Sequence, residues 1–158
     1  MKKITFKDTI NNFEEIIALF AFIILIISMA AQVIWRYVLN NPLVWTEELG
    51  RVAFIWVSFM GASIAMKKGR HIKIDSIFNI FPERIRKLLE YFIQLLLLFF
   101  LSIVFYNGLI LIKKTIYGST SAMGIPNIIY YLPVALGSFL MIIYVIRLLV
   151  TKSFMIKK

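Results

Sequence analysis

The chain has 158 residues, 61% of them hydrophobic and 15% aromatic, with a mean hydropathy of +0.86. Water-soluble domains carry about half apolar residues, so this excess calls for a bilayer as solvent. The formal charge is +10, with no cysteine and one histidine, which excludes a disulfide framework and thiolate metal ligation. In a soluble protein that charge would suggest nucleic acid; here the basic residues flank long apolar runs, which is a membrane-topology pattern.

Four runs, at about 16–37, 46–66, 86–112 and 127–150, are long enough to cross a hydrocarbon core of roughly 30 Å at about 1.5 Å per residue. They predict an all-α integral membrane bundle of four transmembrane helices, residues 1–158 forming a single membrane domain. In the first run, apolar character is broken only by Ser28 and Gln32 before Arg36. Lys2, Lys3 and Lys7 followed by Ser28-Met29-Ala30 imitate a signal peptide. Glu14 and Glu15 directly precede the run, however, and apolar residues continue past the apparent cut, so a retained helix is expected.

The second run opens on Thr46, a candidate N-cap, with Glu47 and Glu48 placed to complement the helix dipole. Arg51 lies four residues after Glu47, on the same face. Small residues recur at Ala53, Ser58, Gly61, Ala62 and Ala65; Gly61 and Ala65 form a small-xxx-small pair that lets helix backbones approach. Between the second and third runs, Ile74, Ile77, Phe78 and Phe81 have helical spacing behind Asp75, which predicts a short interfacial helix. The third run holds eighteen Leu, Ile, Phe and Val residues between Leu88 and Ile112, favouring insertion by about 5 to 11 kcal/mol; Gln94 and Asn107 are tolerable against that. The stretch from Tyr117 to Pro126, rich in Gly, Ser and Thr, reads as irregular. The fourth run carries Pro133, admissible where a neighbour satisfies the carbonyl it frees.

Of the 18 basic residues, 14 lie before the first run, between the second and third, or near the end of the fourth and beyond it. The positive-inside rule therefore places both termini and the middle loop in the cytoplasm. Trp35, Tyr37, Trp45 and Tyr117 then form an outer aromatic belt. The acids Glu14, Glu15, Glu47, Glu48 and Glu90 all fall near span ends, which argues against a chain that conducts a solute alone. No constellation suits acid–base or nucleophilic catalysis, a metal or a cofactor. His71 could touch a lipid phosphate or a partner carboxylate, or simply sit at headgroup level. Glu47 and Glu48 could hold a cation, or form a helix start paired with Arg51.

The segment from Arg36 to Arg51, with Trp45-Thr46-Glu47-Glu48-Leu49-Gly50-Arg51 at its end, is followed by Trp56, Gly61-Ala62, Ala65 and Gly69-Arg70-His71-Ile72-Lys73-Ile74-Asp75. It resembles the small permease (DctQ-like) subunit of tripartite ATP-independent periplasmic (TRAP) transporters. Pro126 and Tyr131-Leu132-Pro133 extend the likeness more loosely to the end of the chain. The resemblance implies a bacterial inner membrane protein that anchors a large permease subunit. A periplasmic solute-binding protein would deliver an organic acid, such as a dicarboxylate or sialic acid, for sodium-driven import. It further implies that Arg36, Trp45, Glu47, Glu48 and Arg51 structure the outer loop and its partner contact. Trp56, Gly61 and Ala65 would line a packed helix interface, and His71 and Asp75 would fix the inner turn. A self-contained carrier or channel made of copies of this chain is the competing reading, and an assembly protein unrelated to transport a weaker one.

Overall fold

Four helices cross one another in the computed structural model, which describes residues 13–68 and 82–156: α1 (Phe13–Tyr37), α2 (Val44–Lys67), α3 (Glu83–Thr115) and α4 (Ile128–Ile156). Each contains a segment long and apolar enough to span a bilayer. All but one begin earlier than hydropathy alone predicts, and α3 and α4 also run on past the expected ends, because hydropathy marks the crossing while the helix continues into the polar boundary. At about 1.5 Å per residue, α3 alone is roughly 50 Å long. Thr46 is not the N-cap of α2. Leu43 holds that position in an extended conformation, and the Thr46 hydroxyl, fully buried, donates to the Leu43 carbonyl at 2.7 Å. Asn40, at φ 48°, supplies the left-handed residue that turns the chain from α1 into α2.

α1 packs along α2, α2 against α4, and α4 along α3. The two central spans are accordingly 28% and 33% buried, against 11% for the flanking two. Each contact has a glycine at which the neighbouring helix comes close. A Cβ on Gly50 would lie 3.3 Å from Ser28 Oγ of α1, one on Gly108 3.4 Å from the Ala135 backbone of α4, and one on Gly137 2.8 Å from Phe59 Cβ of α2. Leu101, Met141 and Val145 form the buried centre, with Phe59, Ala62, Met66 and Leu97 packed around them.

The exposed faces are apolar, including Phe20, Ile27, Phe92 and Phe99, as expected for side chains that meet lipid rather than water. Polar side chains inside the spans mostly bond to their own helix: Ser58 to Phe54 O, Ser102 to Leu98 O, Asn107 to Ile103 O and Ser138 to Val134 O, all at 2.6–2.8 Å. Gln94 differs, being fully buried with neither amide atom hydrogen-bonded.

Candidate functional site

Glu14, Glu15, Glu47 and Glu48 and their partners lie at the two ends of the bundle. At the end where α1 runs into α2 and α3 into α4, Glu47 points outward. Its carboxylate accepts from Arg51 at 3.2 Å, the pair foreseen from their spacing, and lies 3.9 Å from Arg36 at the close of α1. All three side chains are about half exposed or more. Glu48, one residue on and about 100° around the helix, reaches the connection between α3 and α4. Its Oε2 accepts the backbone N–H of Met123 at 2.8 Å and of Ala122 at 3.0 Å.

That connection forms no helix or strand, as its composition suggests, but it is closed by hydrogen bonds of its own. Asn127 N donates to Gly118 O and Thr120 N to Ile125 O, both at 2.9 Å, while Thr120 Oγ1 accepts Ile125 N at 3.1 Å. Gly124, at φ 66°, turns the tip. The tip amides thus face a carboxylate from another helix, a pairing no local pattern in the loop could announce. Tyr130 of α4 also donates, at 3.3 Å, to the Glu48 carbonyl. Between these parts lies a cleft of about 630 Å³ with Arg51, Ser119, Ser121 and Asn127 at polar positions and Ile55 and Val134 at apolar ones.

At the opposite end Glu14, in the first turn of α1, is completely buried. Ser63 of α2 donates to its Oε2 at 2.7 Å, and the Tyr144 hydroxyl of α4 donates to Oε1. One carboxylate therefore joins three helices. Its neighbour Glu15 turns outward and pairs with Lys68 at 3.0 Å. Sequence reasoning placed Glu14 at a span end but did not single it out; the available signal was an acid directly beside an apolar run that has to pack.

Among the remaining residues that the motif singles out, Trp45 is 45% exposed beside Val44. Trp35, Tyr37 and Tyr117 are exposed at the same end of the bundle. Trp56 turns inward, donating from Nε1 to Ile129 O of α4 at 3.1 Å. It closes an apolar groove of about 470 Å³ between α1 and α2. Gly61 is exposed, with open space where a Cβ would stand, and Ala65, one turn on, is half-buried. His71, Asp75 and the predicted interfacial helix lie outside the described residues.

These features define a multi-pass membrane protein in which Glu14 and Glu48 tie its own helices and loops together, while Arg36, Glu47 and Arg51 line one outward face. The comparisons sharpen that class. Residues 14–154 match the family described as the DctQ component of tripartite ATP-independent periplasmic transporters, and the chain belongs to that family. It is 40% identical over 87 residues to the sialic acid TRAP transporter permease protein SiaT of Haemophilus influenzae, covering 55% of this chain and 14% of that protein. It is 35% identical over 80 residues to the sialic acid TRAP transporter small permease protein SiaQ of Vibrio cholerae, covering 51% of this chain and 46% of that protein. With the ectoine TRAP transporter small permease protein TeaB of Halomonas elongata it shares 31% identity over 137 residues, 84% of this chain and 70% of that protein.

Proposed function

We propose that this chain is the scaffold subunit of a sodium-driven TRAP importer of an organic acid, holding a large permease subunit in the bacterial inner membrane with both termini cytoplasmic. The match to the DctQ component along nearly the whole chain carries the reading. Relatives named for sialic acid and ectoine support an organic solute without selecting one.

The scaffold role is supported by the outward face of α2. Glu47, Arg51, Phe54, Ser58 and Gly61 are exposed and Ala65 half-buried, spaced alternately three and four residues apart so that they share one face. A face bearing small residues along the span and ionised ones at its end suits a protein helix better than lipid. Arg36, Trp45, Glu47, Glu48 and Arg51 would shape the end that meets the large permease and the periplasmic binding protein. His71 and Asp75 would fix the turn at the cytoplasmic end, with membrane lipid filling the remaining surface. In this reading the chain is a single membrane domain, and conduction belongs to its partner.

The test is to express the tagged chain with its chromosomal neighbours, extract it in mild detergent and identify what co-purifies. A stoichiometric large polytopic protein, with sodium-dependent uptake by the reconstituted complex, is expected. A chain that purifies only with copies of itself would overturn the scaffold reading in favour of a self-contained carrier.

A further inference from the structure

Proline at 133 removes the N–H that a continuous α4 would direct at the carbonyl four residues earlier. That carbonyl is Ile129 O, and it is the acceptor of the Trp56 indole N–H at 3.1 Å. Trp56 lies well inside the second membrane-spanning segment and Ile129 at the opening of the fourth, where a neighbouring helix can satisfy a backbone acceptor that proline has freed. The Pro133 side chain is itself fully buried, so the gap is not opened to solvent.

We propose that Trp56 is a positioning residue that replaces the hydrogen bond deleted by Pro133, and so fixes the first turn of α4 against α2. Three further bonds join the same regions nearer the start of α2: Tyr130 to the Glu48 carbonyl, and the Ala122 and Met123 amides to the Glu48 carboxylate. The Trp56 bond is the deepest of them along the span. It lets a proline-interrupted helix start in a single register, and with it the shape of the cleft lined by Tyr130, Tyr131, Asn127 and Arg51. This assignment is independent of which partner the protein binds.

A double-mutant cycle tests it on the full chain in detergent micelles or nanodiscs. Trp56→Phe should raise the unfolding equilibrium constant about 3- to 20-fold in the native background, the range of interhelical hydrogen bonds in membrane proteins. In Pro133→Ala, whose restored N–H reoccupies Ile129 O, the same change should have less than about half that effect on a logarithmic scale. Benzothienylalanine at position 56 keeps the bicyclic shape and removes only the donor, so it should reproduce the coupling even if phenylalanine packs poorly. Backbone hydrogen exchange across 120–131 should quicken in the position-56 variants and recover in the double variant. Equal losses in both backgrounds, or a benzothienyl variant with native stability and exchange, would overturn the proposal.

Discussion

The glycines at 137 and 61 offer the same substitution with opposite consequences. In Gly137→Ala the new methyl would stand 2.8 Å from Phe59 Cβ, 3.1 Å from Phe59 O and 3.2 Å from Phe59 C. Carbon atoms settle at about 3.5–4.0 Å, so α2 and α4 must separate by most of an ångström. Two of the three obstructing atoms are backbone, and no rotamer change relieves them. Overpacking of this kind costs about 1–3 kcal/mol; the upper half applies here, because the shift also strains the Trp56–Ile129 and Ser63–Glu14–Tyr144 bonds across the same contact. Helix propensity returns up to about 1 kcal/mol for glycine to alanine, leaving a net loss of roughly 2 kcal/mol. Gly61→Ala meets nothing within 4 Å and should leave the isolated chain as stable or slightly more so. Denaturant or thermal unfolding of the purified chain in detergent measures both. A neutral Gly137→Ala, or a Gly61→Ala more damaging to the isolated chain, would refute the helix arrangement on which the argument stands. A bulky change, Gly61→Leu, should spare the isolated chain yet reduce co-purification of the large permease subunit proposed as its partner.

Glu48→Ala should release the loop tip. Amide exchange at Ala122 and Met123 should accelerate at least tenfold while the transmembrane segments stay protected, whereas Glu47→Ala, which breaks only exposed ion pairs of small worth, should leave the loop unchanged. Gln94→Met should stabilise the chain by about 1–2 kcal/mol, because a buried amide with no hydrogen-bond partner is replaced by an apolar side chain of similar shape; a lower melting temperature would show that the amide has a use. Ser63→Ala should cost about 1 kcal/mol. Glu14→Leu should cost more, since it strands both the Ser63 and Tyr144 hydroxyls; unfolding curves showing Glu14→Leu to be harmless would remove the three-helix clamp.

The four crossings were legible because about 20 consecutive apolar residues match the thickness of a bilayer, and a chain this small has no soluble core in which to hide four such helices. What the residues could not convey was which face of each helix meets which neighbour. Gly61 and Ala65 drew notice as a packing motif, yet the glycines at the three internal contacts are Gly50, Gly108 and Gly137, and Gly61 faces outward. A small residue reports only that close approach is possible; the partner decides whether it happens. Trp56 illustrates the same limit. Its indole donor and the acceptor freed by Pro133 are both evident from residue chemistry, but the pairing spans 73 positions and requires α2 to lie against α4.

The two acidic dipeptides carry this furthest. Glu14-Glu15 opens α1 and Glu47-Glu48 lies in the first turns of α2, each beside an apolar run, and by dipole arguments the four acids are equivalent. A step of about 100° per residue separates them. In each pair one carboxylate turns outward to basic partners, Glu15 to Lys68 and Glu47 to Arg51 and Arg36. The other turns to hydroxyl or amide donors from a distant part of the chain: Glu14 to Ser63 and Tyr144, Glu48 to the 122–123 amides. The inward acid sits at opposite ends of the bundle in the two cases, because α1 and α2 run antiparallel. Each end is thereby closed by one carboxylate that recruits α4 or the loop leading into it, the part of the chain farthest away in sequence. Exchanging the order of charge and neutrality within a pair, as in Glu47→Gln against Glu48→Gln, should therefore separate the roles: the first weakens only exposed ion pairing, while the second leaves two backbone donors facing a weaker acceptor. If both variants loosen the 118–127 loop equally in hydrogen exchange, the division of labour between neighbouring acids is wrong.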